Sequence, residues 1–410
     1  MKQLKLFFTF TTGVVCLFSL GCGGGSSKSA NTTPVSTQTI VTSGANVAAL
    51  TVNSGPAGVG YVNGAFASVT VCVPGTTTCQ TIENVLVDTG SSGLRILSTA
   101  VSLALGQQDA SDGNPVYECF PFVSGYTWGP VQTADVQIAS EKASSVPVQI
   151  VGTNTAVPSG CLSFGIPSSN SVETLGANGI LGVGLFAQDC GGACDLATGT
   201  SSQNPGLYYE CPSTGCEEIA ESTAQQVPNP VSLFTTDNNG VIIELPALSG
   251  GAPSLSGSLV FGIGTESNNA LAGSTVYTPN ADGNFTTTYN GTPYSSSFID
   301  SGSNGFFFLD SSVSGAPATC ADNTAFYCPS STTTITATNE GANQASGKVS
   351  FQVANADTLF ANSADFVYGD LGGIFNSPLG FDFGLPFFFG QNVFTGIQNS
   401  TTYPNGYWAY

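Results

Sequence analysis

From about Val47 the chain alternates short runs of Val, Ile, Thr, Phe and Tyr with clusters of Gly, Asn, Ser and Pro, a pattern of β-strands separated by tight loops. The clearest runs lie at 67–73, 82–87, 131–138, 257–263 and 286–289. Amphipathic periods of helical length are nearly absent, and 217–226 is the best short helix candidate. The pattern predicts an all-β protein. Roughly 360 residues of such sequence exceed one ordinary core, so two lobes are expected, at 46–240 and 241–410.

Internal repetition gives the lobes a common plan. Val85-Leu86-Val87-Asp88-Thr89-Gly90-Ser91 and Phe298-Ile299-Asp300-Ser301-Gly302-Ser303 share one order: an apolar strand, an Asp, a hydroxyl residue, a Gly and a Ser. Some ninety positions after the first comes Gly179-Ile180-Leu181-Gly182-Val183-Gly184, and at a similar offset after the second comes Phe381-Asp382-Phe383-Gly384-Leu385-Pro386. The arithmetic favours duplication of one β unit, with the junction near 235–255. An Asp before a Gly is, taken alone, an ordinary turn residue. Its recurrence in matching strand contexts points instead to two carboxylates facing one another across a cleft.

Such a pair cannot ionise twice without strong repulsion, so it shares a proton. One carboxylate then takes a proton from a water while the other gives one to a carbonyl oxygen. Gly90 and Gly302 allow close backbone approach, and Thr89, Ser91, Ser301 and Ser303 bring supporting hydroxyls. The chain has no histidine, which removes Ser-His-Asp and Cys-His machinery and histidine zinc sites. It has no Gly-x-Ser-x-Gly elbow and no phosphate-cradling loop.

On these residues the chain resembles the pepsin-like aspartic proteases. Residues 88–94 resemble the N-lobe active loop, 179–184 the strand crossing behind it, 257–262 and 276–279 the entry to the C-lobe, and 300–303 with 383–388 the C-lobe counterparts. The chain is also similar to bacterial lipoproteins bearing such segments. The resemblance implies an all-β, bilobal acid-protease fold with a cleft between duplicated lobes. It also implies an endopeptidase with Asp88 and Asp300 as catalytic residues, a peptide or protein substrate in the cleft, no cofactor or metal, and a monomer.

Two departures from the family pattern support a second reading. Active relatives close the cleft with a hairpin flap whose Tyr pairs with a Trp after the first Asp loop; here Arg95 takes the place of that Trp. The flap is expected at 116–130, where Phe122 is nearest to the Tyr, Tyr126 is off register, and Trp128 is a candidate substrate contact. Arg95 is either a carboxylate anchor facing the cleft or one member of a surface salt bridge. Asp382 replaces an apolar residue and is either a third cleft carboxylate, Arg95's partner or a solvent-facing strand end. The alternative function is therefore a non-catalytic cleft that binds peptide, glycan or protein. The runs Phe306-Phe307-Phe308 and Phe387-Phe388-Phe389 are expected mostly in the core.

The N-terminus sets the compartment. Residues 1–22 read as an export signal, and Ser19-Leu20-Gly21-Cys22 resembles a bacterial lipobox that would lipidate Cys22 and anchor the protein to a membrane. Residues 23–45 read as a flexible tether. The expected location is the bacterial cell envelope, lipid-anchored at the outer membrane or cell surface, or otherwise periplasmic or secreted. Of 12 cysteines, those beyond Cys16 and Cys22 are even in number, which in an exported chain argues for disulfides. Cys72/Cys79, Cys211/Cys216 and Cys320/Cys328 suggest local staples, with Cys119/Cys161 and Cys190/Cys194 remaining. The spacing alone leaves connectivity open, including a zinc site on Cys190, Cys194, Cys211 and Cys216. With Lys2 and Lys5 removed, Lys28, Arg95, Lys142 and Lys348 stand against 26 acidic residues, which excludes nucleic acid as a partner. The same balance is compatible with working in acid, where neutralised carboxylates no longer repel.

Overall fold

Strands on the outside of the protein alternate inward and outward residues, whereas those behind the two Asp turns are buried on both faces. In Ser346–Val353, Val349, Phe351 and Val353 point inward while Lys348, Ser350 and Gln352 are exposed. Gly179–Val183 and Ser92–Leu97 are instead buried throughout. A strand sandwiched between layers must be apolar on both sides, so its sequence reads as a continuous run with no alternation. Burying each large side chain there contributes on the order of 1.5–3 kcal/mol.

The structure is a computed structural model that describes residues 38–198, 203–248, 250–271, 273–310, 313–375, 379–399 and 401–410. The export signal, Cys22 and the tether through residue 37 lie outside the described residues. From Ile40 to Tyr410 the chain forms one unit. It is nearly all β, in a pepsin-like bilobal arrangement. A sixteen-stranded sheet system and a seven-stranded sheet carry most of the strands. The first strand, Val47–Asn53, pairs antiparallel with both Gly64–Cys72 and Leu255–Phe261, stitching the start of the chain to its second half. Gly240–Leu245, Gln391–Gly396 and Tyr407–Ala409 extend that platform. The seven-stranded sheet contains Thr292–Ile299, Phe381–Phe383 and Phe306–Phe308.

Each Asp turn is built in the same way. Cys79–Asp88 runs parallel to Gly179–Val183, with Val87 opposite Leu181, and Gly179–Val183 then pairs antiparallel with Ser92–Leu97 beyond the turn. Thr292–Ile299 runs parallel to Phe381–Phe383, with Ile299 opposite Phe383, and that strand pairs antiparallel with Phe306–Phe308 beyond the second turn. A strand threaded between the two arms of each turn leaves it little freedom to move.

The expectation of a helix at 217–226 is corrected. Glu217–Glu218 is a strand opposite Tyr208–Glu210, because the Cys211–Cys216 disulfide closes a hairpin just before it. Helices among the described residues are short, such as Ser159–Leu162, Val172–Leu175 and Ala356–Phe360. None is long and apolar enough to cross a membrane. Five disulfides form: Cys72–Cys79, Cys119–Cys161, Cys190–Cys194, Cys211–Cys216 and Cys320–Cys328. The zinc reading falls with them, since its four thiolates are consumed in two of these bonds. The disulfides are consistent with an exported protein. The Phe runs are largely core: Phe306, Phe308, Phe387 and Phe388 are buried, and Phe308 stacks on Phe381 at 5.2 Å.

Candidate active site

The two turns meet with their backbones in close contact. Gly90 N–H donates to Asp88 Oδ1 at 2.8 Å and the Ser91 hydroxyl to Asp88 Oδ2 at 2.5 Å. Gly302 N–H donates to Asp300 Oδ1 at 2.7 Å and the Ser303 hydroxyl lies 3.0 Å from Asp300 Oδ2. Each carboxyl thus has one oxygen on a backbone amide and the other on a serine two positions after the hydroxyl residue that follows the Asp. A Cβ on Gly90 would sit 2.5 Å from Asp300 Cγ, and one on Gly302 would sit 2.8 Å from Asp88 Cγ. Glycine is required at both places because each turn lies against the other's carboxyl group.

Below the carboxyls, Thr89 and Ser301 are fully buried and bond across the duplication. Thr89 N–H donates to Ser301 Oγ at 3.1 Å, and Ser301 N–H donates to Thr89 Oγ1 at 2.9 Å. The hydroxyls donate onward to Ile299 O and Val87 O, at 3.2 and 2.7 Å. Every donor and acceptor of this crossing is satisfied without water.

The carboxyls themselves adjoin, each lying against the opposite turn and within reach of its counterpart. Burial first, and then the neighbouring Asp88 carboxyl, push Asp300 well above the ordinary carboxylate range. Two carboxyls so placed hold a proton between them. Beside the turns lies a cavity of about 240 Å³, lined by Gly90, Phe120, Phe186, Asp282, Phe298 and Trp408 among others. A larger cavity, about 580 Å³, shares no residue with either turn.

The expected hairpin forms from Val116–Pro121 and Tyr126–Ile138, and its Phe120 lines the cavity beside the turns. Its first strand is fastened covalently through Cys119–Cys161 and electrostatically through Glu118. Arg95 faces neither the cleft nor the surface: the expected salt bridge forms, but it is buried. It is 0% exposed and bonds Glu118 Oε1 at 2.6 Å, Asp189 Oδ2 at 2.9 Å and the carbonyl of Ser92 at 2.8 Å. Its guanidinium carbon lies 3.8 Å from the centre of the Phe120 ring and 5.8 Å from that of Phe122. Burial and the neighbouring Glu118 push Asp189 well above the usual range, while the Tyr208 hydroxyl lies 2.9 Å from both its oxygens and donates its one proton between them. Two acids about one guanidinium are accommodated because one of them keeps its proton.

Other expected site residues fall elsewhere. Trp128 is 1% exposed, stacked on Tyr117 at 5.2 Å, with its indole N–H donated to Thr155 O at 3.1 Å, so it presents no surface to a ligand. Tyr126 is buried in the same cluster, beside Cys119 and Tyr209. Phe122 is half-buried at the hairpin turn, edge-on to Phe120 at 5.0 Å. Asp382 is not Arg95's partner and does not face solvent: it is buried and lies 2.6 Å from Ser303 Oγ. One residue was not anticipated. Tyr61, half-buried just before Gly64–Cys72, is pushed up to about 12 by burial and by the charges of Asp300 and Asp88. It belongs to no recurring segment, so only its spatial position reveals it.

A search among solved structures finds the crystal structure of an aspartic proteinase from Irpex lacteus, 16% identical, covering 88% of this chain and 96% of that chain with a TM-score of 0.50. At that identity the likeness shows the fold alone. Among curated proteins nothing matches. The family model described as "Protein of unknown function (DUF3443)" matches residues 42–410, and the chain belongs to that family.

Proposed function

We propose that this protein is an exported aspartic endopeptidase that hydrolyses peptide bonds with a water held between Asp88 and Asp300. The observation that carries the reading is the pair of adjoining carboxyls, each backed by a glycine amide and a serine hydroxyl and lying against the opposite turn. In this reading Asp300, the carboxyl pushed up, carries the proton and acts as the acid, while Asp88 acts as the base. Water gives a proton to Asp88 as its oxygen bonds to the scissile carbonyl carbon. Asp300 gives its proton to the carbonyl oxygen, and a gem-diol forms. As the C–N bond breaks, the nitrogen takes the proton from Asp88 and the diol returns one to Asp300, restoring the starting state. The 240 Å³ cavity supports a mainly apolar substrate side chain beside the pair.

Purified mature protein should cleave denatured protein in acid. D88N and D300N should each abolish cleavage, and a statine-type inhibitor should block it. Cleavage that persists in both variants would falsify the assignment. Lipidation at Cys22 belongs to the same proposal and rests on residues 19–22. A fatty-acid label retained by wild type and lost in C22A is its expected sign. We also retain from the sequence the lobes at 46–240 and 241–410 and a monomeric state.

One observation favours a second reading, a cleft that binds peptide, glycan or protein without turnover. No tyrosine of the hairpin is free for the carboxyls: Tyr117 bonds Thr155 and Tyr126 is buried. Ligand binding indifferent to D88N and D300N, with no cleavage at any pH, is what that reading expects.

A further inference from the structure

Ser303 Oγ lies between two carboxyl oxygens, 3.0 Å from Asp300 Oδ2 and 2.6 Å from Asp382 Oδ2. A hydroxyl carries one proton and donates once. The other contact sets lone pair against lone pair unless that carboxyl supplies a proton of its own. Asp382 is the one placed to do so. It is 4% exposed, flanked in register by Phe298 and Phe307, and its Oδ1 has no hydrogen-bond partner. An ionised carboxylate in such surroundings would be uncompensated.

Among the described residues, the groups around Asp382 bring no positive charge. Asp300 and Asp88 face it from the two turns, while the strands Thr292–Ile299 and Phe306–Phe308 bring Phe298 and Phe307, and the turn Leu385–Phe388 is apolar. Arg95 is committed to Glu118 and Asp189, Lys142 to Asp135, and Lys348 stands exposed on Ser346–Val353. The duplication supplies an internal comparison. Ile180 is the counterpart of Asp382, each lying opposite the residue two before its turn Asp, Leu86 and Phe298, and Ser91 correspondingly has a single carboxyl partner, Asp88. The third acid is a feature of the second half alone.

We propose that Asp382 is a positioning residue: as a neutral acid it donates to Ser303 Oγ and so commits the Ser303 proton to Asp300 Oδ2. The inference rests on reading Asp88 and Asp300 as a working pair. Burial, with the Asp88 charge, pushes Asp382 up to about 8. Below that pH the chain of donors runs from Asp382 through Ser303 to Asp300. Above it the ionised Asp382 accepts the Ser303 proton, and Asp300 loses a donor and gains a like charge. The outer carboxyl thereby limits the pair to acid and neutral conditions.

Carboxyl-carbon NMR of protein labelled at aspartate, assigned through bonds and titrated from about pH 3 to about pH 9, tests this. In wild type the Asp382 signal should keep its protonated position through the ordinary carboxylate range. The Asp300 signal should move a second time as Asp382 ionises. That second step should vanish in D382N, whose amide always donates, shrink in S303A and persist in S303T. An Asp382 signal that titrates near pH 4, or an Asp300 step unchanged in D382N, overturns the inference. Should D382N not fold, wild type against S303A carries the same comparison. The readout needs no turnover, so absent cleavage would sink the hydrolase reading while leaving the coupling intact. Cleavage dependent on Asp88 and Asp300 without the coupling would sink only the role of Asp382.

Discussion

Thr89 and Ser301 hold each other by matched bonds: each backbone amide donates to the other's hydroxyl, at 3.1 and 2.9 Å, with both residues buried. The crossing fixes the two turns relative to one another at the level just beneath the carboxyls. It is therefore the part of the fold that sets the separation of Asp88 and Asp300.

Removing either hydroxyl should cost more than one ordinary hydrogen bond. T89A leaves the Ser301 amide buried without an acceptor, and S301A does the same to Thr89, at roughly 1–3 kcal/mol for each orphaned group. Urea unfolding should show each loss, and the double variant should fall short of their sum because the two share one network. Full additivity would show that the crossing is not a unit.

Arg95 ties the hairpin to the floor, so its loss should act on both stability and cleft closure. R95M leaves Glu118 and Asp189 sharing a buried site without a cation, which typically costs about 3–5 kcal/mol. R95K should rescue little, since a lysine offers neither the second nitrogen that reaches the Ser92 carbonyl nor the flat face that stacks on Phe120. Hydrogen exchange across Val116–Pro121 should quicken in both variants, and a hairpin as protected as in wild type would refute the tie.

The Cys119–Cys161 bond is the second fastening of that hairpin and spans a sequence separation of 42. Loop-closure entropy puts its contribution at about 4 kcal/mol. The C119S/C161S pair should lower the melting temperature and raise KM for a peptide substrate more than it lowers kcat. An unchanged KM would place the hairpin outside substrate binding.

Acid should stabilise this protein. Asp300, Asp382, Asp189 and Glu221 all have raised values in the fold, Asp382 to about 8 and Glu221 to about 7, with burial the first cause of each. The folded state keeps protons that the unfolded chain releases from about pH 4 upward. Stability is therefore greatest near pH 4 and falls as pH rises towards 8, by up to about 1.4 kcal/mol per pH unit for each group still protonated. Asp135 is shifted the other way by the Ser145 and Gly75 amides and by Lys142, and offsets part of the trend only at the acid end. Thermal melts between pH 4 and 8 should decline, with a shallower slope in D382N. A melting temperature that climbs across this range would contradict the burial of these acids.

Much of the site was legible because its components are local. An apolar run, an Asp, a hydroxyl, a Gly and a Ser within a few residues specify a strand, a turn and the donors that hold the carboxyl, whichever lobe they occur in. The helix expected at 217–226 failed for the opposite reason. Its Glu-, Ala- and Gln-rich composition suits a helix, but a disulfide just upstream and a strand partner at Tyr208–Glu210 override that preference.

From its residues in order, the chain specifies the β pattern, the duplicated Asp turns and the even set of cysteines, since each depends on neighbours along the backbone. Folding alone decides that Arg95 turns inward to Glu118 and Asp189, that Tyr61 feels both aspartates, and that Asp382 meets Ser303. Those outcomes depend on burial and on distances between segments far apart in the chain. Charge and proton affinity respond to such distances through space.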